Sequence, residues 1–167
     1  MALIAAVLPF EHPQFPALSP DDVRERLLRL FPVDRETRFL TLQRGLAMFD
    51  QVELFPHAFA PIVDAEFADS AERAARGDTI ERGVRADERR YRDFMARWRP
   101  ERLIFSQLPL GAQRDYLTMW MRSSFVVRRQ FARSAKSMVT ITAYSMDALW
   151  QPIGYRGPLI EGTRAPA

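Results

Sequence analysis

The stretch Tyr91-Arg-Asp-Phe94-Met95-Ala-Arg-Trp98 decides how the rest of this chain is read. Its large apolar side chains fall at i, i+3, i+4 and i+7, which puts all four on one face of an α-helix and the charged residues on the other. Pro100 then ends the helix, because a proline disfavours helical backbone at the residue before it. No stretch of the chain alternates apolar and polar over the length of a strand, and its glycines are not placed as hairpin turns. The pattern predicts an all-α fold, a single-domain helical bundle of five to seven helices.

Downstream of Pro100, Gln107-Leu108-Pro109 opens a helix with Leu117, Trp120 and Met121 inward. The last helix is predicted from about Phe125 to Ala148, with Val127, Phe131, Ala135, Met138 and Thr142 on one face. Upstream, the charged run from Asp69 to Arg90 is interrupted by Gly77 and Gly83, and reads as a mobile connection or an exposed, poorly packed helix. Before it, Pro56 starts a helix carrying Phe59, Ile62, Val63 and Phe67. A central helix is predicted from Asp34 to Phe55, with Leu42, Leu46, Phe49 and Val52 in register and Leu40, Met48 and Leu54 widening the apolar girth.

Ser19-Pro20-Asp21-Asp22 is a helix start. Ser19 can cap, proline suits the first helical position, and the two acids face the positive helix end. The helix that follows carries Val23, Leu27, Leu30 and Phe31 and stops at Pro32. Prolines 9, 13 and 16 predict an extended arm over residues 1–18, lying on the body of the protein or on a partner. The helical domain spans 19–150, and residues 151–167, rich in proline and glycine, form an extended tail.

Composition narrows the chemistry. The chain has 167 residues, 47% of them apolar and 27% charged, which suits one domain with a real core. Its net charge is only +3, less than a dedicated nucleic-acid binder usually carries, and Lys136 is its sole lysine. It has no cysteine, so disulfides, iron–sulfur clusters and thiolate zinc sites are excluded. Its two histidines, His12 and His57, are far apart in sequence and neither has a second histidine at ligand spacing. The pairs Asp21/Asp22 and Asp87/Glu88 sit among arginines, where a solvated or salt-bridged face is the expectation. Ser123-Ser124 and Ser145 have no histidine near them in sequence. No catalytic, cofactor-binding or metal-ligating constellation is therefore expected in this chain. Met1 to Phe10 is apolar but too short to span a bilayer, and it lacks the basic start of a signal peptide and any twin-arginine pair. No transmembrane segment is expected.

Two surfaces remain. Arg129, Arg133 and Lys136 lie at i, i+4 and i+7 opposite the apolar stripe of the last helix. They are read as a solvated face, or alternatively as the contact of a helical nucleic-acid-binding regulator, with docking to an acidic partner surface between the two. At the end of that helix, Tyr144, Trp150 and Tyr155 bracket a turn through Pro152 and Gly154. Aromatics on such a turn are good interface anchors, because they offer large area with few torsions to freeze.

The turn Leu108-Pro-Leu-Gly-Ala-Gln-Arg114, the helix bearing Tyr116, Leu117 and Trp120, and the closing Tyr144-Ser-Met-Asp147…Trp150…Ile153-Gly154-Tyr155-Arg-Gly157-Pro158 resemble the gluconate 2-dehydrogenase subunit 3 family. The resemblance covers about Pro109 to Pro158, is loose over Val23 to Phe67 and is absent from the first eighteen residues. Each element is common, but the order and spacing together are not. It implies a non-catalytic small (gamma) subunit bound to a large FAD-dependent dehydrogenase of the glucose–methanol–choline type, which oxidises a sugar or alcohol. FAD would sit in that partner, and a cytochrome c subunit can join such complexes. Family members often carry a twin-arginine export signal, which is not seen here; the expected compartment is the cytoplasm, or the periplasm if the chain travels with a partner or was trimmed. The expected contact residues are Tyr144, Trp150, Ile153, Gly154, Tyr155, Gly157 and Pro158, with Phe10 and Phe15 of the arm as a second contact.

Overall fold

The computed structural model describes residues 1–12, 15, 18–31, 45–55 and 70–150, with backbone alone over 70–81. Among them the protein is all-α: α1 (Ala2–Val7), α2 (Pro20–Leu30), α3 (residues 45–50), α4 (Ser70–Trp98), α5 (Leu110–Met121) and α6 (Val126–Tyr144). Three short 3-10 turns, Val52–Leu54, Phe105–Gln107 and Asp147–Leu149, join or end them. The expected third helix from Pro56, the start of the central helix and the tail lie outside the described residues.

α2 begins as its sequence dictates. The Asp22 amide donates to Ser19 Oγ at 3.2 Å and the Ser19 amide donates to Asp22 Oδ2 at 2.7 Å, a reciprocal capping box with Pro20 in the first turn. Val23 is fully buried, whereas Leu30 and Phe31, expected inward, are exposed at the helix end.

Within the expected extended arm, Ala2–Val7 is a helix instead. Pro9 restricts only the residue before it, Leu8, which leaves Ala2–Val7 free to coil, and that segment buries Ile4 and Ala6. α1 packs on α5 and also touches α2 and α6, so it belongs to the body of the protein. Arg114 of α5 pairs with Glu11 and donates to the Leu8 carbonyl, tying down the end of α1. Phe10 and Phe15 meet edge to face at 5.3 Å between centroids and cover a core formed by Ile4, Leu8, Val23, Val139, Ala143 and Leu149.

Of the two readings of the charged run, the exposed helix holds and the connection does not. The run is the first two thirds of α4, a continuous helix of 29 residues. Gly83 marks a close approach rather than a break: a Cβ there would stand 3.1 Å from Ser124 Cβ. α4 ends where Arg99 turns left-handed (φ 41°) before Pro100, its amide donating to the Met95 carbonyl at 3.0 Å.

The expected central helix ends five residues early. Gln51 bridges to Ile104, the Val52 amide donates to the Leu103 carbonyl, and Asp50 accepts from the Ser106 amide at 2.9 Å. These bonds draw the chain away from helical geometry and send Leu54 outward, while Phe49, Val52 and Phe55 enter the main core. Leu46, expected inward, is exposed. The core is aromatic: Phe49, Phe55, Phe94, Phe105, Tyr116 and Trp120 all have another of these rings within about van der Waals reach, at centroid separations of 4.7–6.2 Å.

Tyr116 hides its hydroxyl in this cluster near the Trp120 side chain, without a well-formed hydrogen bond to a described residue. Burial pushes its phenol well above the ordinary value of 10.0. The unfolded chain therefore releases this proton near pH 10 and the folded chain does not, so stability falls as pH rises beyond about 10. Tyr116→Phe is expected to flatten that alkaline fall at little cost at neutral pH, as melting midpoints from pH 8 to 11 would record. A midpoint at pH 7 reduced by several degrees would mean the hydroxyl has a partner.

Candidate docking surface

The phase of α6 decides which of its residues are exposed. Its buried side chains are Arg128, Ala132, Ala135, Val139, Thr142 and Ala143. This stripe is rotated by about one residue from the expected one: Ala135 and Thr142 are inward as read, but Val127, Phe131 and Met138 are only half-buried. Small residues line the contact because α6 packs closely on both α2 and α5.

The rotation puts a cation inside. Arg128 and Asp87 of α4 are each 2% exposed, and Arg128 donates to Asp87 Oδ2 at 2.9 Å. The Asp87 carboxylate also accepts from Ser123 Oγ (2.5 Å), the Ser124 amide (2.9 Å) and Arg90 (2.5 Å). The guanidinium lies 4.9 Å from the ring centres of both Phe55 and Phe125. Burial lowers the pKa of Arg128, and the charge of Asp87 opposes the shift. The expectation that Asp87 is salt-bridged is met, though inside the protein; Glu88 points out and does not converge with it. Sequence reading missed Arg128, yet a signal existed, since Arg128 is in phase with Ala132, Ala135, Val139 and Thr142.

The basic surface is smaller than expected. Arg129 is half-buried and donates to the carbonyls of Ser123 and Ser124 at 2.7 and 2.8 Å, so it serves the turn before α6. Only Arg133 and Lys136 of the three stand out in solvent.

The aromatic end of α6 is open. Ile141 is 58% and Tyr144 52% exposed. After Tyr144 the chain turns through Ser145, whose hydroxyl donates to the Thr142 carbonyl, and Leu149 anchors the following 3-10 turn in the core. Trp150 folds back so that its indole N–H donates to the Tyr144 carbonyl at 2.8 Å. Tyr144 and Trp150 are thus brought together. Phe10 and Phe15 are seated in the chain's own second core, leaving only part of each ring outward. Ile153, Gly154, Tyr155, Gly157 and Pro158 lie outside the described residues, as does His57. Among the described residues no group of three or more His, Cys, Asp or Glu converges as a metal site. No described helix is long and apolar enough to cross a membrane.

A cleft of about 290 Å³ between α4 and α5 gathers Arg90, Arg97 and Arg122 with Asp93 and Asp115. Arg97 pairs with Asp115 at 3.0 Å and Arg90 with Asp87, so most of its charge is already matched. Comparison with protein-family models, with curated proteins and with solved structures finds no match for this chain.

Proposed function

We propose that this protein is a non-catalytic small subunit that docks on, and stabilises, a large FAD-dependent dehydrogenase of the glucose–methanol–choline type acting on a sugar or alcohol. The observation that carries the reading is the exposed Ile141–Tyr144 pair at the end of α6, backed by Trp150 and lying within the segment that resembles the small-subunit family. Two large apolar side chains one helical turn apart, held on a rigid helix, are what a helix-in-groove contact uses. FAD and the reacting groups belong to the partner in this reading, and a cytochrome c subunit is a possible third member. The compartment in this reading is the cytoplasm, or the periplasm if the chain is exported with its partner or from a trimmed precursor. The nucleic-acid reading is weaker, because Arg129 is engaged with the chain's own carbonyls.

Co-expression with a flavoprotein of that type from the same genome tests the proposal. A stable complex is expected, and failure to co-purify would overturn it. Within the complex, Tyr144→Ala is expected to weaken association more than tenfold, because a central aromatic anchor contributes about 2 kcal/mol or more. The isolated subunit should melt unchanged, since the ring is exposed. Trp150→Ala, which also removes an intramolecular hydrogen bond, is expected to lower both affinity and melting midpoint. Calorimetry of both variants, alone and with the partner, separates the two effects.

A further inference from the structure

We propose that the outer face of α6 is a single bipartite docking strip, and that it takes a protein surface presenting carboxylates beside an apolar pocket. The identity of the partner rests on the function proposed above; the chemistry of the strip does not. Val126, Arg133, Ser137, Ile141 and Tyr144 recur at helical spacing along one line of α6, opposite the side buried against α2 and α5. At a rise of 1.5 Å per residue the line is about 27 Å long. Lys136 flanks it.

Three features separate this strip from an ordinary solvated face. Its two ends are apolar, with Val126 51% exposed at one and the Ile141–Tyr144 pair at the other. Arg133 in its middle and Lys136 on its flank are cations that take part in no ion pair among the described residues. Its helix has four basic residues and not one Asp or Glu, although the chain as a whole has 21 acids against 24 bases. A solvated helix is usually laced with both signs, and pairs them three or four residues apart. Arg128 already has Asp87 of α4 and Arg129 the Ser123 and Ser124 carbonyls, so the two outer cations are the ones left to a partner's carboxylates. Ser137 sits between the charged and apolar parts and lets a partner backbone approach. A nucleic-acid duplex would satisfy the cations but offers no pocket for isoleucine and tyrosine, and two free cations release too few counterions for firm binding.

Because Lys136 is the only lysine, zero-length carbodiimide coupling reads the proposal directly: it joins an amine to a carboxylate only where the two touch. With the co-expressed flavoprotein, an amide between Lys136 and a partner Asp or Glu is expected by mass spectrometry. Lys136→Arg should abolish that product while leaving affinity within twofold. The double variant Arg133→Glu with Lys136→Glu should weaken binding at least tenfold at low salt, the gap narrowing as salt rises. Both positions are exposed, so its melting midpoint should match the parent.

Unchanged affinity of the double variant would overturn the strip while leaving the subunit reading standing. If the flavoprotein does not bind at all, the same coupling is run in the source lysate. A Lys136 adduct to one identified protein, sharply reduced by Arg133→Glu with Lys136 left in place, keeps the strip and removes the flavoprotein; no such adduct overturns both. Salt-steep binding to duplex DNA that depends on Arg133 and Lys136 would overturn the protein-partner inference.

Discussion

Asp87→Asn is expected to lower the melting midpoint by about 6–20 °C. Removing one partner of a buried ion pair costs about 3–5 kcal/mol, and each kcal/mol moves the midpoint of a domain of this size by about 2–4 °C. Asparagine preserves the shape of the side chain but leaves the Arg128 guanidinium charged between the rings of Phe55 and Phe125. It also weakens the hold on Ser123 and the Ser124 amide, which pins the turn between α5 and α6 against α4. Because both partners are shielded from solvent, the loss should hardly change with salt, unlike a surface pair. Replacing both charges by apolar residues, Asp87→Leu with Arg128→Met, should recover much of the stability, because no uncompensated charge then remains. Thermal melts at low and high salt measure all of this. A loss below about 1 kcal/mol for Asp87→Asn would mean that water reaches the pair.

Phe49→Ala is expected to cost about 3–5 kcal/mol, again more than a docking residue contributes. Phe49 lies in the short described helix α3 but is the hub of the aromatic core, its ring centre 4.7 Å from that of Phe105, 5.2 Å from Tyr116, 5.0 Å from Trp120 and 5.9 Å from Phe131. Truncation leaves a cavity that rigid rings close poorly, and it removes two edge-to-face and two tilted ring pairs at once. Denaturant unfolding should show a lower midpoint. A value near 1 kcal/mol would show that the core collapses onto the gap. Leu46→Ala, one turn before it and exposed, should change stability by less than about 0.5 kcal/mol.

These two residues also show how far the sequence could be read. Phe49 was legible, because it sits in a stripe at helical spacing and any helix must bury such a stripe. Leu46 belongs to the same stripe and was not: the bridge from Gln51 to Ile104 and the bonds of Asp50 and Val52 orient the segment so that Leu46 faces solvent. Arg128 was overlooked for a different reason, although its phase along α6 was in the sequence. Periodicity ranks positions by side-chain apolarity, so the large residues Val127, Phe131 and Met138 outvoted a phase made of alanines and one arginine. What turns Arg128 inward is the carboxylate of Asp87, forty-one residues away and on another helix. No local pattern holds that information.

The docking strip divides along the same line. The motif around Tyr144 and Trp150 was visible as residues, and so was the run of basic positions. That Arg129 is consumed by the Ser123 and Ser124 carbonyls, and that Trp150 closes on the Tyr144 carbonyl, depends on how the chain bends at either end of α6.

Spacing alone determined the all-α class, the capped start of α2 and the stop before Pro100, because each follows from a few neighbouring residues. The tertiary structure decided the helix at Ala2–Val7, the continuity of α4 through Gly83, the buried Asp87–Arg128 pair and the choice of exposed face on α6. Each of those depends on a distant surface: α5 for the amino-terminal helix, the Ser124 turn for Gly83, and the packing of α2 and α5 for α6. A helix can be read from its own residues, but which side of it meets the core is set by what packs against it.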